Sequence, residues 1–349
     1  MDKNQMNMQN PEEEISLKEL FLALWRQKIL IISITLIAAI LTGAFSVFVL
    51  SPVYHSKLNI VMNMPEIHTT KYGDYTLPLT TNQQYINLIT SNNVLVNTMK
   101  DMGYDAKGMT LEDLREKITI GPMTATANEE QNSFEVKVAA GNPEEARKLA
   151  KALYSNYVEF LDVMTAEGAA EYYYNDFSVK IRSSMVELET NQKLLEKNEE
   201  LLSKTPQTIN QKEAAKEIKN SAGMHDFVIL ENIINPNYTQ LELDIIENKQ
   251  MINTIENTIE LYKTYLEELD KLKVEIAQYY ETGEFTELQS NIVSVSKTNI
   301  SLPSEPVAPT RKTSPSNTKN VIIGAFLGGM VSVLIALIRE FWFKKEMDK

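Results

Sequence analysis

The chain has 349 residues, no cysteine, three histidines and a formal net charge of −13. The missing cysteines exclude disulfides, thiolate nucleophiles and zinc–thiolate sites together, and the acidic balance argues against nucleic acid, anionic lipid and polyanionic ligands as partners. Apolar residues concentrate in two uncharged runs near the ends, around a polar, charge-rich middle, so ends and middle belong to different solvents.

Residues 1–28 read as a cytoplasmic tail and residues 29–50, without a charge, as a first transmembrane helix. Roughly 20 apolar residues at ~1.5 Å each cross a ~30 Å hydrocarbon core. The run is too long for the apolar region of a signal peptide and has no small-x-small cleavage site before Ser51. Residues 321–338 form the second uncharged run, flanked by Lys319 on one side and by Arg339, Lys344 and Lys345 on the other. Arg26 and Lys28 before the first span, with the basic residues after the second, put both termini in the cytoplasm, against the opposing weight of Lys57, Arg311, Lys312 and Lys319. Residues 339–349 are then a second cytoplasmic tail, too short for a kinase domain. The two tails hold eight Lys/Arg and eight Asp/Glu, so residues 51–320, the extracytoplasmic part, carry nearly all of the net negative charge. Trp25 and the cluster Phe341, Trp342 and Phe343 suit aromatic anchors at the lipid bilayer surface.

Beyond the first span, SPVYHSKLNIVMNM (51–64) alternates Leu58, Ile60 and Met62 with polar or smaller residues and predicts a strand. SFEVKVAA (133–140) repeats the pattern with Phe134, Val136 and Val138, which predicts a second strand of the same sheet. Between them, Thr110 precedes a short amphipathic helix over Leu111–Ile118. Asn142, Pro143, Glu144 and Glu145 then supply an N-cap, a first-turn proline and acidic residues facing the helix dipole, so a helix starts here. Its apolar stripe runs through Ala146, Leu149, Ala150, Leu153, Tyr157, Phe160 and Leu161.

The strongest periodicity comes later. Leu241, Ile245, Asn248, Ile252, Ile255, Ile259, Tyr262, Leu266 and Leu269 alternate spacings of four and three, a heptad seam. A weaker seam runs through Tyr174, Phe177, Ile181, Ser184, Leu188, Asn191, Leu195, Asn198 and Leu202. With Pro206 ending the first helix and Asn235-Pro236-Asn237 opening the second, residues 167–282 predict an antiparallel, coiled-coil-like helical hairpin; a contact with a neighbouring subunit is the alternative partner for either seam. Around its tip, a short helix is expected at Gln211–Lys219 and an apolar patch at Phe227–Leu230. Helix packing accounts for Tyr172, Tyr173 and Tyr174 better than phosphorylation does. Asn291–Ile300 alternates enough for a third strand, after which Pro303, Pro306, Pro309 and Pro315 forbid helix and predict an extended linker over residues 303–315.

Enzymatic signatures are missing. His55, His68 and His225 are scattered, and neither a GxxxxGK[ST] loop nor a GxSxG elbow occurs, so catalytic, cofactor-binding and metal-ligating residues are not expected. Gly324, Gly328 and Ser332 put small residues on one face of the second span, suited to close packing against the chain's own first span or against another copy.

Taken in order, ISLKELFLALWRQK, a first span, SPVYHSKLNIVM, the long helical region with NPNYTQLEL, and PSEPVAPTRKTSP leading into a glycine-bearing span resemble the polysaccharide co-polymerase, or chain-length determinant (Wzz-type), family. Pro306, Pro309, Ser314 and Pro315 match the family's proline-rich pattern; Ser316 stands where a lysine is expected, and Ser332 replaces the second membrane glycine after Gly328. The resemblance implies an α/β membrane-proximal base of α+β type with a long projecting helical hairpin and two transmembrane helices. It also implies a non-enzymatic homo-oligomer in the bacterial inner membrane that restrains a membrane polysaccharide polymerase acting on a lipid-linked polysaccharide. The alternative it leaves open is an adaptor for a separate cytoplasmic tyrosine kinase, contacted through Phe341, Trp342 and Phe343.

Overall fold

The computed structural model describes residues 17–121, 132–210 and 232–343. Helices α1 (Leu17–Arg26) and α2 (Lys28–Phe48) precede strand β1 (Tyr54–Met62), the hairpin β2 (Ile67–Thr70) and β3 (Gly73–Thr76), and helices α3 (Asn82–Asn87) and α4 (Asn92–Met102). Then come α5 (Leu111–Glu116), β4 (Ile118–Ile120), β5 (Ser133–Ala140) and the long α6 (Pro143–Lys204). Strands β6 (Thr208–Asn210) and β7 (Asn232–Ile234) lead to α7 (Pro236–Thr282), α8 (Thr286–Asn291), α9 (Ser296–Asn299), β8 (Ile300–Ser301) and α10 (Asn317–Ile338). The mixed helix-and-sheet class with one very long helix and two membrane-length helices is the one expected. Contacts divide the chain into two compact units: Met1–Val61, Thr98–Tyr154 and Leu302–Lys349 form the first, Met62–Asn97 and Ser155–Ser301 the second.

In the first unit, β1 runs antiparallel to β5 from Tyr54 opposite Ala140 to Val61 opposite Ser133, and β4 flanks β5 with Ile118 opposite Val138. The alternation read from sequence has a packing cause: Leu58, Ile60, Phe134, Val136 and Val138 are buried on one face. The expected helix at 111–118 is two residues shorter. Thr110 and Asp113 close a capping box at its start, and Ile118 leaves it to pair in β4. At the start of α6, Asn142 Oδ1 accepts from the Glu145 amide at 2.8 Å, so the predicted N-cap is in place.

In the second unit, α6 lies antiparallel to α7. Val163 packs with Ile276 and Tyr279, Phe177 stacks on Tyr262 at 5.2 Å between ring centroids, and Glu199 pairs with Lys249 at 3.0 Å. Farther along, β6 pairs with β7 and the Asn235 amide donates to Gln207 O at 2.9 Å. Asn235 also caps α7 ahead of Pro236. The two heptad seams therefore face each other within the chain. Ile245, Ile255, Ile259 and Leu269 are buried, while the polar seam positions Ser184, Asn191, Asn198 and Asn248 are half-buried. The expected helix at Gln211–Lys219 and patch at Phe227–Leu230 lie outside the described residues.

Two features of this unit were not expected. Tyr72, at the turn between β2 and β3, inserts its ring among Tyr173 at 5.7 Å, Phe177 at 5.8 Å and Tyr265 at 5.4 Å, bridging the two long helices. Gly73, at φ +135°, lets the chain make that turn. In place of a third strand over 291–300 there is the helical turn α9, with strand limited to Ile300–Ser301. The cause is Asp162 on α6: its carboxylate, buried at 5% exposure, accepts from the Ser296 amide at 2.8 Å, Ser296 Oγ at 2.9 Å and Ser294 Oγ at 2.7 Å. A buried carboxylate needs such donors, and only a turn brings all three to one side.

Phe177 concentrates the seam's aromatic contacts, so Phe177→Ala is expected to cost about 3 kcal/mol or more. Exposed Val179→Ala should change stability by under roughly 0.5 kcal/mol. Denaturant unfolding of the full chain in nanodiscs checks the contrast.

Candidate functional site

Among the described residues no group of three His, Asp or Glu side chains converges for a metal. His68 is engaged structurally, its Nε2 lying 3.0 Å from Val293 O. The expected functional residues instead fall on the pair of apolar helices and on the chain that enters and leaves it.

Helices α2 and α10 are both long and apolar enough to cross a membrane. They pack antiparallel along a seam where α10 presents Gly324, Gly328, Ser332 and Ala336, every fourth residue, all buried. A Cβ on Gly324 would collide with the Thr42 side chain, and one on Gly328 with the Ala38 Cβ. Missing side chains thus allow the two backbones to approach closely, the packing that substitutes for the hydrophobic effect between helices in lipid. Ser332 Oγ donates to Gly329 O at 2.7 Å and lies 3.5 Å from Thr35 Oγ1, so the serine that replaces glycine faces a polar partner. Gly324, Gly328 and Ser332 therefore meet α2 of the same chain.

Polar locks close both ends of this pair. At one end, Arg26 Nη1 and Gln27 Nε2 donate to the two carboxylate oxygens of Glu340 at 3.2 and 3.1 Å. At the other, Ser46 Oγ donates to Asn317 Oδ1 at 3.1 Å and accepts from Asn320 Nδ2 at 2.9 Å, while Lys312 Nζ reaches the same Asn317 oxygen at 3.0 Å. The proline-rich segment is tied to the chain leaving α2. The Val53 amide donates to Ser314 O at 2.8 Å, the Thr313 amide to Val53 O at 2.8 Å, and Ser56 Oγ to Val307 O at 3.1 Å. Pro306 and Pro315 are buried, Pro309 half-buried and Pro303 exposed, so residues 303–315 form a strap attached to the chain that leaves α2. Phe341 and Trp342 sit beyond the other end of α10, with Trp342 70% exposed; the Phe343 side chain is outside the described residues.

In the second unit, Lys71 Nζ and Tyr72 Oη both donate to Glu268 Oε2 at 3.1 Å. The Lys71 ammonium holds the Glu268 carboxyl below the usual carboxylate range. Burial, and next the Glu159 charge, push the Tyr279 phenol up to about 12. Sequence reasoning did not find Tyr72, Glu340 or the Ser46–Asn317–Asn320 lock. Nothing in the sequence near Tyr72 shows what its ring touches.

Residues 13–102 match the family model described as Wzz, chain length determinant protein. The chain is 29% identical over 149 residues to the probable capsular polysaccharide biosynthesis protein YwqC of Bacillus subtilis, covering 41% of this chain and 55% of that protein. It is 29% identical over 143 residues to the capsular polysaccharide biosynthesis protein CpsC of Streptococcus pneumoniae, covering 40% of this chain and 59% of that one. The match thus spans a little over half the length of each relative. Among solved structures it is similar to a full-length bacterial polysaccharide co-polymerase, at 17% identity and a TM-score of 0.44 over 93% of this chain and 97% of the other. It is also similar to a Shigella flexneri lipopolysaccharide O-antigen chain-length regulator, at 13% identity and a TM-score of 0.30 over 74% and 99%. The family resemblance read from the sequence is borne out by the Wzz match.

The seam is directly testable because the chain has no cysteine. A Thr35→Cys, Ser332→Cys pair is expected to form an intramolecular disulfide on mild oxidation in membranes, and Gly328→Leu in the same background to abolish it. Cross-linked dimers in place of the intramolecular product would contradict the assignment.

Proposed function

We propose that this chain, which carries the Wzz chain-length determinant region, is a non-enzymatic regulator of the length of a surface polysaccharide of capsule or O-antigen type. In this reading it resides in a bacterial inner membrane with both termini cytoplasmic and residues 51–320 outside. It works as a homo-oligomer beside a polysaccharide polymerase and limits how long that enzyme extends a lipid-linked glycan. The Wzz match over residues 13–102 carries the reading. The paired membrane-length helices and the within-chain helical hairpin support it, since they supply anchors and a stiff element.

A second reading, an adaptor for a cytoplasmic tyrosine kinase, is favoured by one observation: Trp342 is 70% exposed just past the end of α10. A bilayer anchor uses the same ring, so capture of a kinase by the full chain, lost on Trp342→Ala, separates the two.

Deleting the gene is expected to leave polymer in place and erase its preferred length on a polysaccharide gel, with the wild-type gene restoring it. Complete loss of polymer would favour the adaptor reading, and an unchanged ladder would leave only a structural role in the envelope.

A further inference from the structure

The three cations Arg311, Lys312 and Lys319 run against the charge rule that orients the spans and against the acidity of the rest of residues 51–320. Between Pro303 and Asn320 they face a single acid, Glu305, which lies 4.0 Å from Lys151. Among the described residues no ion pair engages any of the three, whereas Lys57 at the other membrane exit is neutralised by Glu135 at 2.9 Å. Their position is fixed. Lys312 is held to Asn317 in the first turn of α10, the strap is bonded to Val53, and Lys319 stands two residues before the uncharged run begins at Val321.

On the same half of the helix pair is a shallow, open apolar groove whose lining runs from Leu36 and Ile40 past Gly43 and Ala44 to Phe48 and Val321. Small side chains on α2 open it, and it ends at the level of the residues just inside Lys319. A shallow apolar groove on the same half of the helix pair as cations without ion-pair partners complements an amphiphile with a hydrocarbon chain and a multiply charged phosphate head. The acidic net charge disfavours anionic ligands for the molecule as a whole, but screening over ~8 Å leaves a local cationic island effective.

We propose that Arg311, Lys312 and Lys319 seat the diphosphate of a polyisoprenyl carrier lipid whose chain lies in the groove beside Gly43 and Ala44. This rests on the reading of the protein as a regulator of glycan growth on a lipid carrier, and it gives that regulator a direct hold on the lipid end of the growing chain. A diphosphate offers more charge and more acceptor oxygens than the single phosphodiester of a bulk phospholipid, so three cations select for it.

The test uses the full chain in phosphatidylcholine nanodiscs, with retained lipid read by native mass spectrometry during titration with undecaprenyl diphosphate, phosphatidylglycerol or inorganic diphosphate. Undecaprenyl diphosphate is expected to be retained in preference to both others. Its retention should fall roughly tenfold or more in the Arg311→Gln, Lys312→Gln, Lys319→Gln variant, fall in Ala44→Phe, and stay unchanged in Lys263→Gln. Equal retention of phosphatidylglycerol, equal competition by inorganic diphosphate, or indifference to the triple variant would each overturn the proposal. Because binding is measured without any polymer, its failure alongside an intact length phenotype sinks only the lipid seat. A lost length phenotype with intact binding sinks only the regulatory reading.

Discussion

The close approach of α2 and α10 is the contact on which the rest of the first unit depends. In hydrocarbon there is no gain from burying one apolar side chain against another, so two helices stay together only where their backbones come near enough for dense packing and polar locks. Gly324 and Gly328 provide the approach, Thr42 and Ala38 fill it, and the Glu340 and Asn317 clusters close its two ends. Once the spans are paired, the chain leaving α2 and the chain entering α10 are neighbours. The Val53–Ser314 bridge and the buried Pro306 and Pro315 follow from that adjacency.

The second unit is organised by a different force. Its two long helices bury aromatic and aliphatic side chains densely at one stretch, from Val163 to Phe177 on α6, and become thinly packed farther along, where Ser184, Asn191 and Asn198 occupy the seam. Such polar positions fix register at some cost in stability. Tyr72 and the Asp162–Ser296 network secure the well-packed stretch from outside the two helices, one through rings and the other through charge-assisted hydrogen bonds.

What was legible in the sequence is what local periodicity controls. Each residue from Leu241 to Leu269 assigned to the seam is buried or half-buried, and the alternating residues of β1 and β5 share a buried face, because spacing alone decides which side of a helix or strand a residue occupies. The α9 turn was not legible: its donors are satisfied by Asp162, more than a hundred residues away in the chain. Tyr72 escaped for the same reason. The glycines of α10 were visible as a small-residue face, yet their partner was open, since a face of that kind suits the neighbouring span and another copy equally. In the structure Thr42 and Ala38 of α2 lie opposite them, a placement that no local spacing in the sequence specifies.

As a regulator, this protein would act by where it stands and what it holds, while the polymerase makes the bonds. The most direct measurement reconstitutes the membrane polysaccharide polymerase from the same cell in vesicles with lipid-linked repeat units, with and without this protein, and resolves the products by length. The account predicts a broad distribution from the polymerase alone, a cluster around a preferred length when this protein is added, and no product from this protein by itself. Identical distributions in its presence and absence would contradict it.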